Sequence, residues 1–419
     1  MNVLYGQQTS LTVENMSFSG ARLDQFPTYL RSLALVKLAC ASANHACGQL
    51  DEVKYRQISH ACRLVADEPP LGQFPVDVFH GGGGIGVNMN MNEVLATLAG
   101  AEVDPVSDIN MSQSTADVCH TALRLTLLTM SRALRSTSLQ LERTLQAKAT
   151  AFAPYQTIAR TCLQDGMRVS AGALFESTAS ALARLRTDLQ ALDAELCRIN
   201  LGGTVIGSGL GATAEYREIV VTELAGVTQI AFDLHPNLYD AAAYQDDLVK
   251  LSATVQLIAL LGQKFAEDLR LLSSGPECGF AELTLPNVQA GSSFFPGKVN
   301  PVVPEMMIQC AMLVTANHSA VVAGFGRSEA HLNVFEPMMG FLVIKNMQML
   351  TRALELFDEK CVTGIELNAD KCAEYANAGI PLLAEAKQRH GYHYISDLIA
   401  GVGLRQAVQQ LRAEDQPNN

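Results

Sequence analysis

The chain contains no tryptophan, and aromatic residues make up only 6% of it. Strands draw on aromatic and β-branched side chains, so a sequence dominated by alanine and leucine reads as helical rather than sheet-forming. No Lys/Arg cluster stands out, and the formal net charge is −12. That balance argues against nucleic acid and against an acidic membrane surface as partners. No stretch approaches the ~18 uninterrupted apolar residues of a membrane span. The first residues offer no basic segment followed by an apolar one, so no secretory signal is expected. The ten cysteines form no CxxC pair and do not gather near histidine. They read as free thiols of a cytoplasmic protein rather than as disulfides or metal ligands.

What is present is helical periodicity interrupted by polar islands. Residues 1–20 are polar and read as irregular or extended. From Pro27 to about Leu64 the pattern is helical, broken at Gly48-Gln49-Leu50-Asp51 by a turn followed by an N-cap. Further helices are expected over 118–149, 168–198 and about 336–361. Leu248, Leu251, Val255, Ile258, Phe265, Leu269 and Leu272 recur at three- and four-residue steps, the seam of a helix in a near-parallel bundle. Another helix begins at Val302, with Pro304 tolerated in its first turn. Residues 366–419 read as shorter helical pieces, and the final 414–419 as a frayed end.

The most distinctive island is the stretch Gly291-Ser292-Ser293-Phe294-Phe295-Pro296-Gly297-Lys298-Val299-Asn300-Pro301. Glycine and proline at this density shape a loop. Its two hydroxyls, one amine and one amide are groups suited to chemistry, and a loop between rigid helices is a favoured place for it. A plain structural turn is the alternative. Upstream, Gly81, Gly83 and Gly86 formally satisfy GxGxxG. Without a preceding strand in a βαβ pattern this is not a dinucleotide site, although such a bend can present backbone N–H groups to a small anion. A third island, 108–117, precedes a helix that Ser114 or Thr115 would cap. A fourth, 160–165, reads as a break between two helices.

Together these islands resemble the fumarase/aspartase superfamily. The signature Gly291-Ser292-Ser293-x-x-Pro296-x-Lys298-x-Asn300-Pro301 is joined, in the family's order, by Asn88 to Glu93, Asn110 to Thr115 and Gly202 to Gly207. Arg270 to Pro276 and Leu285-Pro286 resemble the aspartate ammonia-lyase branch more than fumarase. The resemblance covers nearly the whole chain. It implies an all-α, three-domain fold with a central long-helix bundle, with boundaries placed here at 1–111, 112–363 and 364–419. It also implies a homotetramer with shared active sites, no metal or organic cofactor, and anti-elimination from a succinate-type dicarboxylate to fumarate.

Carried over residue by residue, the resemblance makes Ser292 the general base. It assigns Ser114, Thr115, Thr161, Ser293, Lys298, Asn300 and the backbone N–H of Phe295 to substrate binding. Such chemistry needs a positioned base and dense donors around the carboxylate that takes up charge. A serine serves as base only where backbone N–H groups and a cation stabilise its anion. Three positions depart from the pattern. Ile85 stands where the family has a threonine, Ala116 where it has an asparagine, and Cys162 at a site that varies among active relatives. Ile85 and Ala116 remove polar contacts from the leaving-group side, where discrimination depends on them. L-Aspartate is the default substrate. Nitrosuccinate or an N-substituted aspartate is the alternative, ahead of malate or of a non-catalytic relative. Cys162 as a nucleophile is disfavoured, because buried cysteines are usually inert. Glu305 is expected to favour its helix N-terminus.

Overall fold

The computed structural model describes residues 3–414. Its elements in chain order begin with α1 (Gln7–Met16), α2 (Pro27–Ala46), α3 (Glu52–Asp67), α4 (Ile85–Ala99) and α5 (Thr115–Phe152). A hairpin of β1 (Gln156–Thr161) and β2 (Gln164–Ser170) leads to α6 (Ala173–Ala191), α7 (Asp193–Leu196), α8 (Ala214–Thr228) and α9 (Leu238–Ala243). The long helices α10 (Asp246–Leu272), α11 (Val302–Phe325) and α12 (Glu336–Lys360) follow. The short α13 (Ala369–Ala376), α14 (Gly379–His390), α15 (Tyr392–Val402) and α16 (Leu404–Glu414) end the described chain. The expected fraying concerns 415–419, which lie outside the described residues. Besides the hairpin, only two-residue strand pairs occur among the described residues, so the fold is all-α.

The chain divides into two compact units. The first comprises Met1–Arg135, Thr187–Leu257 and Met312–Leu350; the second comprises Ser136–Arg186, Ile258–Ala311 and Thr351–Asn419. Five helices (α5, α6, α10, α11 and α12) contribute residues to both. In the first unit α2 packs on α3 and α8, and the ring of Phe341 meets Phe26 and Tyr29 edge-on, each at 4.9 Å. Asp51 caps α3 as expected, its carboxylate accepting from the N–H groups of Val53 and Lys54. In the second unit Phe175 lies between Phe152 and Phe265, and Phe265 reaches on to Phe357 at 5.9 Å. The seam of α10 is buried from Leu248 through Leu269. The α14–α16 pieces close their own small core around Leu382, Leu383, Ile395 and Leu411.

Two expectations are corrected. Residues 1–20 are not irregular throughout, because α1 forms within them. Its start has no capping side chain of its own; the carboxylate of Glu93, on α4, accepts from the N–H groups of Gly6, Gln8 and Thr9 and from the Thr9 hydroxyl. A cap supplied from a remote helix leaves no local signal. The island at 160–165 is likewise not a break between helices. It is the tip of the β1–β2 hairpin, and the helix expected from 168 begins only at Ala173. The turn residues Cys162 and Leu163 have φ of 52° and 59°. Two-residue hairpin turns want positive φ at both positions, normally filled by Asn and Gly.

The aromatic cluster yields a stability prediction. Phe265→Ala should lower stability by about 3–5 kcal/mol, through a cavity between Phe175 and Phe357. Urea unfolding at fixed protein concentration measures it; a midpoint within error of the wild type would contradict the packing described.

Candidate functional site

The loop between α10 and α11 belongs to the second unit and is largely exposed. Gly291 has no alternative here, since a Cβ would stand 2.0 Å from the carbonyl oxygen of Lys298. The side chain of Asn300 donates to the Gly291 carbonyl and so latches the two ends of the loop together. Within it, Ser292 Oγ accepts hydrogen bonds from the backbone N–H groups of Phe294 at 3.0 Å and Phe295 at 2.9 Å. These donors favour negative charge on that oxygen. The Phe295 N–H therefore points at Ser292 rather than standing free. Lys298 lies over the ring of Phe295, with Nζ 5.8 Å from its centroid. Ser293 is exposed beside them.

Thr161 and Cys162 also fall in the second unit, at the exposed hairpin tip. Below them, Glu282 accepts from Thr157 Oγ1 at 2.6 Å and pairs with Arg160, which anchors the hairpin. Glu305 sits in the first turn of α11, as the helix-dipole reading expects, with Arg270 3.6 Å away.

Ser114, Thr115, Ala116 and Ile85 come together in the first unit. Ser114 begins α5 with a reciprocal cap: its Oγ accepts from the Ala116 N–H, and Asp117 Oδ1 accepts from its own N–H at 2.8 Å. Asp117 Oδ2 also accepts from Gly202 and Thr204, both at 3.1 Å, fixing the glycine-rich connector to this helix start. Burial pushes the Asp117 carboxyl up to about 6 despite these three N–H donors. Thr115 Oγ1 accepts from Asn88 at 3.0 Å. Behind it, buried Lys37 donates to Asn110 and Gln113, both at 2.9 Å, and burial lowers its pKa to about 8. Gly81 to Gly84 all have positive φ, and this left-handed run turns the chain directly into α4, leaving Ile85 exposed at its first position. No strand precedes it, in keeping with the rejection of a dinucleotide fingerprint.

The sequence reading missed a buried charged cluster one turn along α5. Arg124 is 1% exposed; it pairs with Asp247 of α10 through Nε and Nη2, both at 2.9 Å, and through Nη1 with Glu336 of α12. His120 Nδ1 lies 2.9 Å from Glu336 Oε1, close but poorly aligned for a straight bond. Burial, then the Arg124 charge, lower the His120 pKa, so the imidazole is neutral. Burial alone would raise the Glu336 carboxyl, but His120 and Arg124 outweigh it and hold it at about 2. The signal was available: His120 and Arg124 stand four apart on an otherwise apolar helix face. His120 and Glu336 also line a small cavity of about 30 Å³ with Thr115, Ala116, Gly83 and Asn333.

Because its pKa is depressed on folding, Glu336 contributes stability above the ordinary carboxylate value of 4.5 and loses it as pH falls toward 2. Glu336→Gln should therefore cost about 3 kcal/mol at pH 7, with Asp247 still pairing Arg124. The gap from wild type should narrow below pH 4.5. Denaturation midpoints across that range test this, and a gap independent of pH would contradict it.

Known proteins place this arrangement. A family model described as Lyase matches residues 1–316. Aspartate ammonia-lyase of Pseudomonas aeruginosa is 36% identical over 399 residues, which cover 93% of this chain and 84% of that protein. Fumarate hydratase class II of Ralstonia nicotianae is 35% identical, over 97% of this chain and 92% of that one. Among solved structures, fumarate lyase:delta crystallin from Brucella melitensis bound to cobalt superposes with a TM-score of 0.94 at 37% identity, covering 100% of this chain and 93% of that one. Sequence and fold agree along most of the chain, which belongs to the lyase family of the fumarase/aspartase superfamily, on its aspartate ammonia-lyase branch.

Proposed function

We propose that this protein eliminates ammonia from L-aspartate to give fumarate, with Ser292 as the base. The observation that carries the reading is the pair of backbone N–H groups donating to Ser292 Oγ. An alkoxide needs such donors to exist near neutral pH, and the serine turn at the start of this loop supplies two of them to one hydroxyl. Ser292 takes the proton from the carbon next to the distal carboxylate, which receives the charge. The C–N electron pair then leaves with nitrogen as ammonia. Ser293, Lys298 and Asn300 serve the carboxylates from the loop, while Ser114, Thr115 and Thr161 serve them from rigid elements. Closure of the exposed loop over substrate excludes water and brings its donors to bear.

The apolar side chains of Ile85 and Ala116 favour a second reading, in which the same machinery expels another group, such as nitrite or a substituted amine. We further propose a cytoplasmic homotetramer built from the three segments 1–111, 112–363 and 364–419. In support, α10 and α11 are apolar enough to span a bilayer by length and composition, yet leave Leu257, Met312 and Leu313 at least half exposed. Such faces suit a helix bundle shared between copies.

Ser292→Ala should cut fumarate formation by about 10²–10⁴-fold while helical content and assembly stay unchanged. Ultraviolet absorbance of fumarate, with aspartate, malate, nitrosuccinate and N-substituted aspartates as substrates, checks the reading. Undiminished activity in the variant would remove Ser292 as base, and no fumarate from any substrate would overturn the lyase reading for this chain.

A further inference from the structure

Ala116 has a one-carbon side chain, and the space beyond it is the cavity of about 30 Å³. That volume suits one or two water-sized groups. His120 lies one helical turn further along α5, on the same face. Helical side chains lean back toward the N-terminus, so the imidazole is carried toward the space left open at position 116. The ring is 3% exposed, and its Nε2 has no hydrogen-bond partner among the described residues. A polar atom so placed is costly unless something fills the space beside it. Glu336 faces Nδ1 at 2.9 Å and so favours the proton there, leaving Nε2 a bare acceptor. Around it stand one guanidinium, Arg124, and two carboxylates, Asp247 and Glu336, an excess of one negative charge. The rest of the wall sets apolar Leu123, Leu332, Pro337 and Phe341 beside Tyr29, Thr115, Cys119 and Asn333.

We propose that His120 is a specificity-determining residue, its Nε2 accepting an N–H bond from the departing amino group in the space left by Ala116. This rests on the aspartate reading above. The substrate ammonium and the ammonia it becomes carry N–H donors, which match a bare acceptor in a site of net negative charge. Nitrite as leaving group would bring lone pairs to a lone pair, and a hydroxyl, though it can donate, carries no positive charge to match the two carboxylates around one guanidinium. The cavity thus selects an amine, and its size limits that amine to ammonia or a small substituent.

Steady-state kinetics in both directions tests the proposal, with ammonium and fumarate varied separately in the reverse reaction. His120→Leu fills the ring's place without an acceptor and should raise the KM for ammonium about tenfold or more, with the KM for fumarate changed less than about twofold. Ala116→Val occupies the cavity, leaves the buried ion pair untouched, and should produce the same split even if His120→Leu folds poorly. Ala116→Asn in the His120→Leu background should recover most of the loss by restoring an amide acceptor. A purely structural His120 would instead depress kcat or move both KM values together, and an unchanged ammonium KM in Ala116→Val would also overturn the proposal. A wild-type protein that is inactive with aspartate would overturn the aspartate reading, and the subsite with it. An active wild type whose variants show no split would overturn the subsite alone.

Discussion

Three long helices are tied at one guanidinium. Arg124 of α5 reaches Asp247 of α10 and Glu336 of α12 from a position almost wholly out of water. Desolvating such charges cancels much of their attraction, so the cluster is better understood as a register device than as a source of stability. Apolar helices slide past one another at little cost; a forked donor with two carboxylate acceptors admits one alignment. That alignment sets Ser114, Thr115 and Ala116 at the head of α5 relative to the glycine turn and Glu336. The geometry around the start of α5 depends on it.

The start of α5 and the 291–301 loop are built on opposite principles. Around the start of α5 several polar groups are already committed: Asp117 holds three backbone N–H groups, Lys37 holds two amide oxygens, and Thr115 is held by Asn88. The 291–301 loop is held mainly by contacts within itself, among them the Asn300 latch and the two N–H bonds to Ser292. On the proposed mechanism, preorganisation is concentrated where carboxylates are recognised, while the base rides on a segment held mainly by its own contacts. Binding energy can then be spent on closing the loop.

Much of this was legible in the sequence, for physical reasons that differ from element to element. The seam of α10 was readable because its apolar spacing is the packing itself. Asp51 was readable as a cap because the N–H donors it accepts from lie within three residues. The loop was readable because glycine and proline carry their backbone angles with them. The hairpin at 156–170 was hidden because Cys162 and Leu163 adopt turn angles that their side chains do not advertise. His120 and Arg124 showed themselves by their spacing, but their carboxylate partners were hidden because Asp247 and Glu336 lie 123 and 212 positions from Arg124. Signals that live in tertiary partners have no period.

The same lesson governs the first helix. The N–H groups of Gly6, Gln8 and Thr9 and the Thr9 hydroxyl converge on Glu93, 84 to 87 positions away. With no capping side chain of its own, α1 draws its starting point from α4. It can therefore be ordered only after α4 is in place, which makes it a late and dependent element of folding and the natural first piece to open when the protein breathes. The helix that anchors α1 through Glu93 is thus the same one that carries Ile85 and the Asn88 bound to Thr115.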